Sequence, residues 1–389
     1  MQTKIDNLDH VDAFATVDLT SVIKQFHKWT TLLPMVKPYY AVKCNPDPCV
    51  LRLISALGGN FDCATQGEID LVLNHLGDFC ATPDQIVYAN PQKMISHIKF
   101  ADESRVGLTV VDGEDELHKM ARVNSKMSVL IRLTTDDKDS VCRFSKKFGC
   151  PPANAPKLLE TAKALGIEVK GISFHVGSGC GDAQAYVTAL RDARSVFDAA
   201  IALDMPALKI VDIGGGFPGS DAFSNSRGLP TFGELATAIK SGIETHFSDI
   251  KSETEFIAEP GRYMVAASGY LATKCYGRKG GDSTERQAIY VDDGVYGSFN
   301  HVIYDHAVPK PKLFKETTGE EQLIPTQIFG PTCDGLDQIC QDDDTAIPRV
   351  EVGDWLFWDE MGAYTHCASF VFNGYTNIPT KLYVNTTIA

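Results

Sequence analysis

Between residues 38 and 260, short runs of β-branched, aromatic and aliphatic residues alternate with longer stretches whose apolar positions recur at helical spacing. Eight runs read as strands: Tyr39–Lys43, Phe61–Ala64, Gln85–Ala89, Gly107–Val111, Met127–Leu133, Lys170–His175, Leu208–Ile213 and Glu255–Ala258. Such alternation implies parallel βα units, and eight of them close a TIM (β/α)8 barrel. Some helices carry their own punctuation. Thr65, with Glu68 three residues on, forms a capping box ahead of Ile69, Val72, Leu73 and Leu76, and Gly77 ends the run. Thr231 and Glu234 repeat that start signal, and the apolar face of Leu158, Leu159, Ala162 and Leu165 stops at Gly166. These apolar positions are core and carry no chemistry.

Beyond Tyr263 the texture changes to strands and turns, as in Ala288–Val291, Pro325–Phe329 and Trp355–Trp358, with no comparable helical period. That half reads as an antiparallel β-barrel or sandwich. The first 18 residues also lack helical period, and Ala13–Val17 is a candidate strand to add to it. The chain therefore divides into a TIM barrel over 19–265 and a C-terminal β domain over 266–389 that recruits 1–18.

Composition narrows the function. With 389 residues, 44% hydrophobic and 22% charged, the chain can bury a large core. A net charge of −14 without a lysine/arginine run argues against nucleic-acid binding. No stretch approaches the roughly 18 apolar residues of a membrane span, and Lys4, Asp6 and Asp9 leave no apolar leader, so a soluble cytoplasmic protein without membrane association is expected. The 11 cysteines lack CxxC pairs and interleaved histidines, which suits reduced thiols and no metal site.

In a barrel of this kind the chemistry lies at the C-terminal ends of the strands. Strand 1 ends at Lys43, strand 2 holds Asp62, strand 5 holds Arg132 and strand 6 ends at His175; strand 7 runs into Gly214-Gly215-Gly216 and strand 8 into Glu259-Pro260-Gly261-Arg262. Alone, a lysine after an apolar strand is usually just solvated, and a glycine triplet is ordinary loop punctuation. Placed after strand 7, the triplet offers backbone N–H groups to a phosphate, with Gly261, Arg262 and Ser178 as further donors. An amine able to form a Schiff base, a phosphate cradle and a carboxylate for a ring nitrogen together specify pyridoxal 5′-phosphate.

The segments PYYAVKCN, FDCAT, YANPQK, FHVGSGC, DIGGGFPG, EPGRY, DDGVYGSFN, GPTCDGLD and MGAYT, in this order, resemble the eukaryotic ornithine decarboxylases, pyridoxal-phosphate enzymes with an alanine-racemase-like barrel and a C-terminal β domain. The resemblance implies that Lys43 carries the cofactor as a Schiff base. By the same carry-over Asp62 and Arg132 support that linkage, His175 stacks on the ring and Glu259 pairs with its nitrogen. Ser178, Gly214, Gly215, Gly216, Gly261, Arg262 and Tyr364 hold the phosphate. It further implies that Cys333 protonates the product, that Asp305 and Asp334 recognise the distal ammonium of ornithine, and that Tyr304 and Phe372 border the substrate. The family works as a homodimer with shared active sites, in which Cys333 and Asp334 serve the other subunit and Lys147 pairs with Asp337 between subunits. The expected reaction is decarboxylation of L-ornithine to putrescine and carbon dioxide, the first step of polyamine biosynthesis. Two alternatives remain: a lysine or arginine decarboxylase on the same fold, or an inactive binding protein like the antizyme inhibitors. Only 365–389 follows Tyr364, too short for the long degradation tail of the vertebrate members, so antizyme control by that route is doubtful.

Overall fold

A computed structural model describes residues 12–280, 285–315, 321–341, 345–376 and 379–384. Its contacts divide the chain into one unit over Val22–Met264 and another formed by the residues up to Ser21 with those from Val265 onward.

Strand β1 (Phe14–Asp18) belongs to the second unit, and the next eight strands make the first: β2 (Val36–Ala41), β3 (Asn60–Cys63), β4 (Ile86–Tyr88), β5 (Leu108–Val111), β6 (Ser128–Leu133), β7 (Val169–Phe174), β8 (Ile210–Asp212) and β9 (Glu255–Ala258). All eight pair in parallel, and β9 returns to β2 to close the barrel. The interior is packed rather than hollow: Tyr39, Val87, Val110, Leu130 and Ile257 form one apolar cluster. The helix starts act as the sequence implies, but the side chain of Glu68 takes the Ala64 N–H and its helix ends at Asn74, short of Gly77. Thr65 and Thr231 accept N–H bonds at the starts of Gln66–Asn74 and Phe232–Phe247, and Gly166 closes Ala155–Leu165 in the left-handed conformation at φ 69°. The strands start and stop within three residues of their expected limits. Lys43 differs in kind, because the strand ends at Ala41 and Lys43 sits in a single 3₁₀ turn, Val42–Cys44.

The second unit carries β10 (Gly269–Lys279), β11 (Gln287–Val291), β12 (Pro311–Phe314), β13 (Ile324–Phe329), β14 (Gln338–Cys340), β15 (Ala346–Ile347), β16 (Trp355–Trp358) and β17 (Thr380–Val384). Their order is β12-β16-β10-β11-β13-β14, with β15 against β13 and β1 joined to both β10 and β17. Residues 14–18 thus do add a strand to the C-terminal sheet. Not every pair is antiparallel: β11 runs parallel to β13, and β1 to β17, so the expected antiparallel domain is a mostly antiparallel one. Leu271, Ile289, Phe299, Ile328 and Trp358 lie in its buried core.

Candidate active site

The mouth of the barrel assembles the polar residues that end the strands. The Nζ of Lys43 donates to Oδ2 of Asp62, whose carboxyl is fully buried on β3. The lysine side chain itself is 42% exposed, so the amine is anchored yet approachable. Oδ1 of Asp62 is buried and has no partner among the described residues, a place for a group the protein itself does not supply. Arg132 on β6 is buried, with its guanidinium 5.1 Å from the ring of Phe148.

His175 follows β7 directly. Its Nδ1 accepts the Gly177 N–H at 3.0 Å, which leaves the ring proton on Nε2. Burial, then the charges of Arg132 and Lys43, push its pKa well below the ordinary value, so the imidazole stays neutral and offers a flat face. Phe144 meets that ring edge-on at 4.8 Å.

The glycine turn after β8 is enforced by space. A Cβ on Gly214 would lie 2.2 Å from the Phe174 carbonyl oxygen, and one on Gly215 would lie 2.8 Å from Nε2 of His175. Gly214 and Gly216 also adopt φ of 63° and 110°, which side chains rarely allow. The turn's register with the strand-9 end is fixed by Glu259 N–H donating to Gly214 O at 2.7 Å. Arg262 reaches Oγ of Ser178 at 3.2 Å, bringing a cation and a hydroxyl together. Gly261 is buried in the turn where the Met264 N–H bonds to its carbonyl.

Glu259 is buried, and burial followed by the charges of Asp212 and Asp62 pushes its carboxyl well above the usual carboxylate range. Asp212, at the end of β8, is the residue the strand-end survey passes over. It lies two positions before the first glycine of the turn, inside the DIGGGFPG segment but given no role there, and a lone aspartate ending an apolar strand has no spacing signal of its own.

The remaining candidates lie on the second unit. Asp334 accepts from the hydroxyl of Tyr296 and from Leu336 N–H, which together hold its carboxyl below the usual value. Tyr296 is a second residue to which the sequence analysis gives no role, although it lies in the DDGVYGSFN segment; its ring stacks on Phe372 at 4.4 Å. Cys333 is exposed, and its N–H donates to Oδ1 of Asn373 at 3.0 Å. Tyr304 is 63% exposed and Asp305 caps its short helix. Tyr364 holds a left-handed φ of 55°, a conformation a side chain adopts only under local constraint. Asp337 is 1% exposed and accepts within its own unit, from Val295 N–H at 2.8 Å and from Thr332 N–H and hydroxyl at 2.9 and 2.7 Å. Lys147, in the barrel unit, is exposed and lies 5.0 Å from the Phe148 ring centre.

An approachable lysine, a neutral imidazole face, a buried carboxyl pair and an anion-friendly glycine turn fit a phosphorylated pyridine aldehyde. No helix among the described residues is long and apolar enough to cross a membrane. The pyridoxal binding domain of the pyridoxal-dependent decarboxylases matches residues 19–266. Antizyme inhibitor 2 of Xenopus laevis is 42% identical over 97% of this chain and 82% of its own length. Ornithine decarboxylase of Rattus norvegicus is 41% identical over 98% of this chain and 82% of its own. Among solved structures, the Paramecium bursaria Chlorella virus arginine decarboxylase bound to agmatine superimposes with a TM-score of 0.89 at 31% identity, covering 99% of this chain and 100% of that one. The chain therefore belongs to the pyridoxal-dependent decarboxylases of the ornithine decarboxylase type, with pyridoxal phosphate as its cofactor.

Proposed function

We propose that the protein decarboxylates L-ornithine to putrescine and carbon dioxide, working as a homodimer whose active sites are shared between subunits. The observation that carries the reading is the bond from Lys43 to the fully buried Asp62 at the mouth of a barrel that also presents Glu259. An amine held this way keeps its position without being enclosed, as a covalent anchor for an aldehyde requires.

When bound, pyridoxal phosphate supplies an electron-poor ring that takes up the electrons of the breaking bond. The protein's residues do the rest. Lys43 would hold the cofactor covalently, and Asp62, which accepts from its amine, would orient that nitrogen. His175, neutral at working pH, would offer its face to the ring without adding charge. Glu259 keeps the ring nitrogen protonated, and Gly214 to Gly216, Ser178, Gly261, Arg262 and Tyr364 anchor the phosphate. Cys333 of one subunit would serve as the proton donor to the substrate carbon in the site of the other.

Substrate choice rests on charge and reach. Asp334 and Asp305 pair with the distal ammonium, whose desolvation is costly without a counter-charge. Asp334 suits this because Tyr296 and Leu336 hold its carboxylate both ionised and in place. Lys147 and Asp337 are proposed to bridge the subunits, with the buried Asp337 adding the lysine to the bonds it already accepts from Val295 and Thr332. The similarity to antizyme inhibitor 2 favours a second reading, a binding protein without activity. Against it stands the full set of Lys43, Glu259, Cys333 and Asp334. Incubation with ornithine and pyridoxal phosphate, followed by chromatography for putrescine, separates the two: product at catalytic turnover supports the enzyme, and none refutes it.

A further inference from the structure

The ends of β8 and β9 bring together two carboxyl groups, of which the chemistry above uses one. The strands pair in register, with Asp212 opposite Ile257, and the Glu259 N–H bond to Gly214 fixes the two strand ends. That register sets the side chains of Asp212 and Glu259 beside each other, both buried, within reach of a hydrogen bond between the two carboxyl groups. Carboxylates only accept, so one of the two must carry a proton. Asp212 already receives the Gly214 N–H at 2.9 Å on Oδ1 and the Ser173 hydroxyl at 3.4 Å on Oδ2, donors that favour its anion. Burial raises Asp212 to about 6 and raises Glu259 well above the carboxylate range, in the same order.

The surroundings agree with a single retained proton. Lys43 beyond β2, Asp62 on β3 and Arg132 on β6 are the charges facing the pair, with the neutral His175 beyond β7 and the Tyr39 phenol on β2 completing the titratable groups around it. Lys43 and Arg132 supply two positive charges, while Asp62, Asp212 and Glu259 would supply three negative ones if all ionised. One proton on the pair leaves the buried cluster neutral, which is the cheapest charge state in a poorly solvated barrel.

We propose that Asp212 and Glu259 share one proton in the cofactor-free barrel, that Glu259 gives it up when the protonated ring nitrogen of pyridoxal phosphate binds, and that Asp212 remains beside it as an anion. The inference rests on Glu259 facing that nitrogen. The Glu259 O–H bond breaks, its proton leaves to solvent, and the N–H that the ring nitrogen already carries at neutral pH donates to the resulting carboxylate. Asp212 is then a positioning residue. Its charge makes Glu259 the more basic partner and so keeps the ring protonated.

Infrared difference spectroscopy on the wild-type protein reads the proton directly. Adding pyridoxal phosphate to the cofactor-free protein at neutral pH should remove the carbonyl stretch of one protonated carboxyl. Adding an analogue with carbon in place of the ring nitrogen should leave it. In Asp212→Asn the same band should titrate away at least about one pH unit lower, because the neighbouring like charge is gone. Absence of the band in the wild type, its loss with the carbon analogue, or an unchanged titration in Asp212→Asn would overturn the proposal. The underlying assignment fails differently: Glu259→Gln would then bind pyridoxal phosphate with wild-type affinity and visible spectrum.

Discussion

The barrel mouth and the surface around Cys333 differ in how finished they are. In the barrel, Asp62, Arg132, Asp212 and Glu259 are buried, and the glycine turn allows no added atom. On the second unit Cys333 is exposed, Leu336 is 72% exposed, and Tyr304, Phe370 and Val371 show large apolar surfaces. Apolar side chains clustered in sequence around proposed catalytic residues are what a surface looks like before a partner covers it. The contrast teaches that the barrel encloses its polar strand-end residues, whereas Cys333, proposed as the proton donor, is exposed and Asp334, proposed as the substrate's counter-charge, is half-buried. This is the physical support for a shared-site dimer.

The largest effect should come from the barrel side. Lys43→Ala is expected to abolish both the visible absorbance of the bound cofactor and turnover; a variant that kept both would end the assignment. Next comes the outward side. Cys333→Ala should lower putrescine formation roughly 10²-fold or more while leaving the visible spectrum intact, since it removes a proton donor and not a cofactor contact. Mixing the two inactive variants breaks or sharpens the comparison directly. Random exchange of subunits should restore about a quarter of wild-type sites in a two-fold dimer; no recovery despite confirmed exchange would mean that the two regions act within one chain.

Smaller effects separate rigidity from exposure. Gly215→Ala places a methyl group 2.8 Å from His175 Nε2 and should cost about 1–3 kcal/mol, read as a lowered Tm and weaker cofactor binding. Tyr296→Phe removes one hydrogen bond to Asp334 and should raise KM for ornithine by roughly tenfold or less with kcat nearly unchanged. A larger loss of kcat than of KM would show that Tyr296 does more than hold the carboxylate.

What the sequence makes legible follows from periodicity. The eight barrel strands and the added strand at 14–18 are readable because buried parallel strands are short apolar runs set off by turns and caps. Lys43, His175 and Glu259 are readable because polar residues at strand ends stand out against such runs. Asp212 and Tyr296 are not: each matters through a hydrogen bond to a residue 47 or 38 positions away, and no local pattern encodes that pairing. The parallel pairs β11–β13 and β1–β17 escape for the same reason, since strand direction is fixed by the connection and not by the strand.

The central claim is a decarboxylase that prefers ornithine. Carbon dioxide release measured side by side on ornithine, lysine and arginine, with pyridoxal phosphate present and the protein at a concentration where it is dimeric, tests it most directly. The account predicts the highest kcat/KM on ornithine; a preference for lysine or arginine, or no release from any of the three, would contradict it.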